Sequence, residues 1–202
     1  ARAWYPENDD VHGFGHIERV YRLCQSIGQA ESADMEILLT AALLHDAQGS
    51  HPGENSRDDH HLRSADFAGE VLSGMGWPVE KIAAVQHCIR AHRFRKEDIP
   101  ESLEAKVLFD ADKLDVIGAV GVVRALAYAF QADTPAYARP SVQFMEQGKI
   151  QEGEPHSAYH EYLFKLKNIS ARLITPAARA IAEERQAFLN RFFEQLAQEM
   201  QE

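Results

Sequence analysis

MEILLTAALLHD, residues 35–46, decides the fold. Its apolar side chains fall on nearly every side of a helix rather than along one stripe, which places that helix at the centre of a helical core. The run closes on the doublet His45-Asp46. An ionised aspartate taken out of water is costly unless a cation meets it. The end of a helix adds about half an elementary negative charge of its own. A buried helix that ends in an imidazole beside a carboxylate therefore points to a bound divalent metal.

Outward from this run the pattern is helix after helix. Residues 15–29 place Ile17, Val20, Leu23, Cys24 and Ile27 in a 3.6-residue rhythm. Residues 47–60, polar and containing Gly and Pro, read as a surface loop. A helix resumes over 61–74. Pro78 opens the next at a position that tolerates proline, and Val79, Ile82, Val85 and Ile89 face inward along it. A long apolar segment covers 102–130. Residues 131–157, with three prolines and two glycines, are expected to be a loop or an irregular insertion. A helix is expected over 158–170. Thr175-Pro176 then reads as an N-cap followed by Pro at the first helical position. Ile181, Phe188, Phe192 and Leu196 are expected to line one face of the long helix that follows. No alternating strand and no repeat stands out. The expected fold class is all-α, a compact orthogonal bundle: one domain, with a core over 1–130 and C-terminal helices over 131–202 packing on it.

Composition sets limits on function. The chain has 202 residues, with 21 Lys+Arg against 31 Asp+Glu and a formal net charge of -10. Such a surface repels nucleic-acid backbones and anionic lipids. It still admits a small phosphorylated molecule where a bound metal reverses the local field. Cys24 and Cys88 have no metal-type spacing and read as small buried hydrophobes in a reducing compartment. ARAWYPENDD does not read as a secretory signal, and no apolar run is long enough to cross a bilayer. A cytoplasmic location is the expectation.

Four positions concentrate the chemistry. His16 shares a helical line with Val20, Leu23 and Ile27. His45 and Asp46 follow the central helix. Asp112 is aligned with Leu108 and Val116, and Asp115, one turn on, shares its face, whereas Asp110 does not. A lone inward histidine is commonly a satisfied core residue. Two histidines and two aspartates aimed inward from three helices make a ligand set, and Arg19 alone cannot easily neutralise both carboxylates. Two neutral imidazoles and two carboxylates leave a divalent ion neutral, with coordination positions open. Mixed N/O donors suit Mn²⁺, Fe²⁺, Ni²⁺ or Mg²⁺ better than a structural Zn²⁺.

The stretches HGFGHIERV, AALLHDAQG, IRAHRF and DADKLDVIGAVGVVRA resemble the HD-domain superfamily of metal-dependent phosphohydrolases, in its small single-domain bacterial and archaeal members. The family's first His, His-Asp doublet and distant Asp fall on His16, His45, Asp46 and Asp112. The resemblance implies hydrolysis of a phosphate ester or phosphoanhydride by metal-activated water, on a small phosphorylated substrate such as a nucleotide. It places His92 beside the metal cleft, for phosphate contact or proton transfer, although a histidine favoured by the helix end is equally compatible with the sequence; Asp46, His92 and Asp115 are the expected catalytic group. Asp115 is given two roles, orienting a water or holding Arg19. Arg19 and Lys113 are expected to meet phosphate oxygens, although a solvated Lys113 is equally compatible with the sequence. His12 is placed at the pocket mouth. A second metal would draw on His60, His61, His87 and His92, but only His92 has a clear inward alignment, so one ion is expected.

Departures from family patterns narrow the substrate. The Glu-Asp pair that alarmone hydrolases carry after the doublet is absent from AQGSHPGEN, residue 49 is Gly where the nucleotidase branch has Glu, and no Gly-Tyr-Pro signature occurs. Two other classes remain open: a non-hydrolytic HD module that senses a nucleotide or metal, and a metal-free helical interaction protein. The intact ligand set favours the enzyme. Nucleic acid and membrane are not expected partners, and the long C-terminal helix allows a homodimer.

Overall fold

The computed structural model describes residues 1–5, 13–49, 59–93 and 99–201. Their regular structure is all helical, with no strand among them. The α-helices are α1 (Phe14–Glu31), α2 (Met35–Leu44), α3 (His60–Gly74), α4 (Val79–Ala91), α5 (Leu103–Leu114), α6 (Gly118–Gln131), α7 (Val142–Gln147), α8 (Ala158–Phe164) and α9 (Pro176–Glu199). This is the all-α class that the periodicity predicts. His12 and most of the 47–60 loop lie outside the described residues.

The chain divides into two compact units. The first comprises residues 1–113 and 173–179; the second comprises 114–172 and 180–202. In the first, α2 is the hub, packed by α1, α3 and α4. Asp34 caps it, accepting from the N–H groups of Glu36 and Ile37 at 3.0 and 3.2 Å. Leu38, Ala41 and Ala42 of α2, Val20 and Cys24 of α1, and Val85 and Ile89 of α4 are all buried. Close approach of α1 and α2 depends on Gly28, where an added Cβ would sit 2.4 Å from Leu38 Cδ2 and 3.0 Å from Met35 Sδ. The beginning of the chain braces the far end of α2: the Tyr5 hydroxyl donates to the Leu43 carbonyl at 2.8 Å.

Asp110, which lies off the expected inward face, is fully buried. Its carboxylate accepts from the Ile174 and Thr175 N–H groups, the shortest at 2.6 Å, and from the Thr175 hydroxyl at 2.7 Å. Glu31 accepts from Ala177 N–H at 2.8 Å. Two carboxylates thus satisfy the donors at the start of α9, where helix polarity favours negative charge. Pro176 opens α9 as expected. The hydroxyl of Thr175 serves Asp110.

The structure adds detail to three stretches. The apolar segment 102–130 is two helices, broken before Gly118, whose φ of 74° is the left-handed conformation that favours glycine. Residues 131–157 contain a short helix, α7, because Ser141 caps it through Phe144 N–H and Gly148 closes it at φ 67°. Residues 158–170 give only the short α8, followed by 3-10 turns at Leu166–Asn168 and Ser170–Arg172. The buried face of α9 is also offset by one residue. Ala182, Gln186, Leu189, Phe193 and Ala197 are buried, while Phe188 is exposed. Phe193 wins the interior because Tyr162 stacks on it at 4.7 Å, and small alanines allow close packing where Ile181 and Leu196 would not.

Gly28→Ala is expected to overpack the α1–α2 contact and cost about 1–3 kcal/mol, read from urea unfolding. An unchanged midpoint would show that Leu38 and Met35 yield freely.

Candidate metal centre

Six ligating side chains meet in the first unit, delivered by five helices. His16 stands in the first turn of α1. His45 caps the C-terminus of α2 and Asp46 follows it. His60 begins α3, His92 caps the C-terminus of α4, and Asp112 lies on α5. Two ligands thus sit at helix C-termini, where a cation is favoured.

The donor atoms of His16, His45 and Asp112 lie within 4.8 Å of one another, as do those of Asp46, His60 and His92. His45 Nε2 is 3.4 Å from His16 Nε2, and His16 Nε2 is 3.5 Å from Asp112 Oδ1. Asp46 joins the two sets. Its Oδ2 is 3.8 Å from His45 Nε2 and 3.9 Å from His16 Nε2; its Oδ1 is 3.3 Å from His60 Nε2 and 3.6 Å from His92 Nε2.

Backbone carbonyls fix two of the rings. His45 Nδ1 donates to Ala42 C=O at 2.9 Å, and His92 Nδ1 donates to Ile89 C=O at 2.6 Å. A carbonyl only accepts, so in both rings the proton is on Nδ1 and Nε2 offers a lone pair to the centre. His60 differs: Arg93, which can only donate, lies 3.4 Å from its Nδ1.

Burial keeps His45 below its ordinary pKa and pushes His92 down to about 3. Burial alone would raise Asp46, but the surrounding imidazoles, His45 foremost, hold it well below the carboxylate range. Asp112 is also held low against the pull of burial, by Lys113 first and then His16. Neutral imidazoles and ionised carboxylates are the forms that ligate metal. The residues fit a divalent cation on a further ground: Asp46 Oδ1 is fully enclosed with no hydrogen bond that satisfies it. A carboxylate oxygen left this way is expensive, and a cation removes the cost.

Residues 13–117 match the family described as HD domain. The chain belongs to the HD-domain family. A relative from Bacillus subtilis (strain 168), described as uncharacterized protein YpgQ, is 33% identical over 195 residues, spanning 94% of this chain and 84% of the relative. The solved structure of B. subtilis YpgQ in complex with ADP superposes with a TM-score of 0.73 at 31% identity, over 98% of this chain and 94% of that one. A predicted HD superfamily hydrolase from an uncultured Thermotogales bacterium gives a TM-score of 0.65 at 28% identity, over 98% and 88%. An HD-superfamily hydrolase from Bacillus thuringiensis gives 0.66 at 25%, over 93% and 86%. Family and site together are those of a metal-dependent hydrolase.

Of the residues singled out in the sequence, the structure brings His16, His45, Asp46, Asp112 and His92 together. Arg19 is half-buried on α1, its guanidinium lying over Gly15. Lys113 donates to Asp112 Oδ2 at 2.7 Å and to the His92 carbonyl at 3.3 Å. Asp115 belongs to the second unit, where it is buried and ion-paired with Arg124 of α6, a partner that sequence reading did not name. His87, half-buried, accepts from Glu101 N–H at 3.3 Å. His60, named in the sequence only as a second-metal candidate without a clear inward alignment, is buried beside Asp46. Its signal was the buried four-residue line His60, Ser64, Ala68, Leu72, weak because small residues carry little apolar weight. Arg93, next to His92 in IRAHRF, was missed.

His92 gives a pH dependence. Between about 3 and 6.5 the unfolded chain holds a proton that folded His92 does not. Stability is therefore fully present above about 6.5 and falls as pH drops through that window. Asp46 and Asp112 add to the loss below about 3.8. Urea midpoints of metal-stripped protein are expected to fall steadily between about pH 7 and about pH 4. A flat profile would mean that His92 is not held neutral.

Proposed function

We propose that the protein is a divalent-metal phosphohydrolase that cleaves a phosphate ester or phosphoanhydride bond of a nucleotide. The observation that carries this reading is the convergence of the donor atoms of His16, His45 and Asp112, with Asp46 Oδ2 within 3.9 Å of both imidazoles. The nucleotide part draws on the relative: the YpgQ structure holds ADP.

His16, His45, Asp46 and Asp112 would hold one ion, with Mn²⁺, Fe²⁺, Ni²⁺ or Mg²⁺ suited to the mixed donors. The ion, when bound, supplies Lewis acidity that makes water nucleophilic near neutral pH and polarises the phosphoryl oxygen. We keep one ion as the reading; Asp46, His60 and His92 make a second donor set in the same site. Asp46 keeps its charge and accepts a hydrogen bond from the attacking water. His92, neutral, offers its Nε2 lone pair to the same water. Arg19 and Arg93 supply charge-assisted donors for phosphate oxygens, and a phosphoryl group asks mainly for such positioning and neutralisation. Asp115 has its charge met by Arg124, and we give it no proton-transfer step.

No single described helix is long and apolar enough to cross a membrane. A cytoplasmic enzyme acting on a dissolved nucleotide is the reading we adopt.

Elemental analysis is expected to find about one transition-metal equivalent per chain, lost in His45→Ala and Asp46→Ala. Assayed with Mn²⁺ on nucleoside mono-, di- and triphosphates, the wild type is expected to release phosphate or pyrophosphate. Both variants should fall more than about 100-fold in kcat/KM. Metal uptake without turnover across that panel would favour a sensing module instead.

A further inference from the structure

Lys113 was expected to reach a phosphate. The structure spends it on the protein. Its ammonium donates to Asp112 Oδ2 at 2.7 Å and to the His92 backbone carbonyl at 3.3 Å, and lies 5.0 Å from the centre of the Phe109 ring. Its side chain is only 15% exposed. These contacts have one result in common. Asp112 Oδ2 is engaged, so Oδ1 alone is turned toward His16 Nε2 at 3.5 Å. The carbonyl that Lys113 also holds closes α4, the helix that delivers His92.

We propose that Lys113 is a positioning residue that makes Asp112 a one-oxygen ligand and locks the end of α4 to α5. The proposal rests on the metal reading above. Each half has a physical reason. A carboxylate with both oxygens free swings between one-oxygen and two-oxygen ligation, and a second oxygen on the ion consumes a position needed by water or substrate. An ammonium held against one oxygen removes that choice, as hydrogen-bonded partners of metal ligands do generally. The charge matters too. A divalent ion with two carboxylates is neutral; with the Lys113 ammonium the centre carries one net positive charge. In a chain of formal net charge -10, that gives an anionic substrate a local reason to bind.

The experiment compares wild type, Lys113→Met and Lys113→Arg as metal-stripped full-length chains loaded with Co²⁺, with circular dichroism as a check on folding. The Co²⁺ d–d bands report coordination number, and calorimetry with Mn²⁺ reports affinity. Lys113→Met is expected to change the band pattern and to weaken Mn²⁺ binding about tenfold. Lys113→Arg, which keeps a cationic donor, is expected to restore both. If Lys113→Met does not fold, Lys113→Gln, a shorter neutral donor, is measured in its place, with the same band change expected. Bands and affinity identical to wild type, with only the inhibition constant of inorganic phosphate raised, would overturn the proposal and make Lys113 a substrate contact. Tighter Mn²⁺ binding in Lys113→Met would also overturn it, since charge repulsion would then outweigh positioning. A wild type that takes up neither Co²⁺ nor Mn²⁺ would overturn the metal reading and this proposal with it. Uptake by wild type with unaltered variants would overturn this proposal alone.

Discussion

The first unit is organised around one electrostatic constraint: two aspartates, Asp46 and Asp112, must remain ionised where water hardly reaches. Asp112 meets it with Lys113 on one oxygen and His16 beside the other. Asp46 meets it only in part, because Oδ1 is enclosed and unsatisfied. Polar groups in such a position are rare in folded chains and mark either strain or a missing ligand. Burial disfavours charge on His45 and His92, so a divalent cation is the counter-ion that suits Asp46.

The packing follows from that requirement. The ligands have to arrive from helices that cross near one point, so α2 must be thin on all sides. Ala41 and Ala42 give it that slimness, and Gly28 lets α1 approach it closely, with His16 set against His45. His45 and His92 stand at helix ends, where rings can turn back and donate to the carbonyl three residues earlier. That bond selects the tautomer, and selecting it in advance removes an ordering cost from metal binding.

Much of this was legible before any coordinates. A run as uniformly apolar as ILLTAALL has only one place to go, and His16 and Asp112 declared themselves by sitting on apolar lines of their own helices. The illegible parts share a cause. His60 lies on a line of Ser and Ala, which pattern reading discounts. Asp110 looked outward because its partners, the N–H groups of Ile174 and Thr175, are backbone atoms far along the chain with no side-chain signature. The face of α9 was misplaced by one residue because large apolar side chains occur on adjacent positions, and only the stacking of Tyr162 on Phe193 decides between them. Lys113 is ambiguous in any sequence, since an ammonium serves a carboxylate of its own chain as readily as a phosphate.

The Asp110 clip carries a consequence for biosynthesis. The helix that supplies Asp112 can bury Asp110 only against donors at Ile174 and Thr175, and the same helix start is held by Glu31 through Ala177. A nascent chain that has emerged only as far as α5 already contains every proposed metal ligand, yet lacks the segment that lets α5 settle. Capture of the ion therefore belongs after the ribosome has delivered the start of α9, and a premature stop before that point yields a polypeptide with all of its ligands and no finished place to put them.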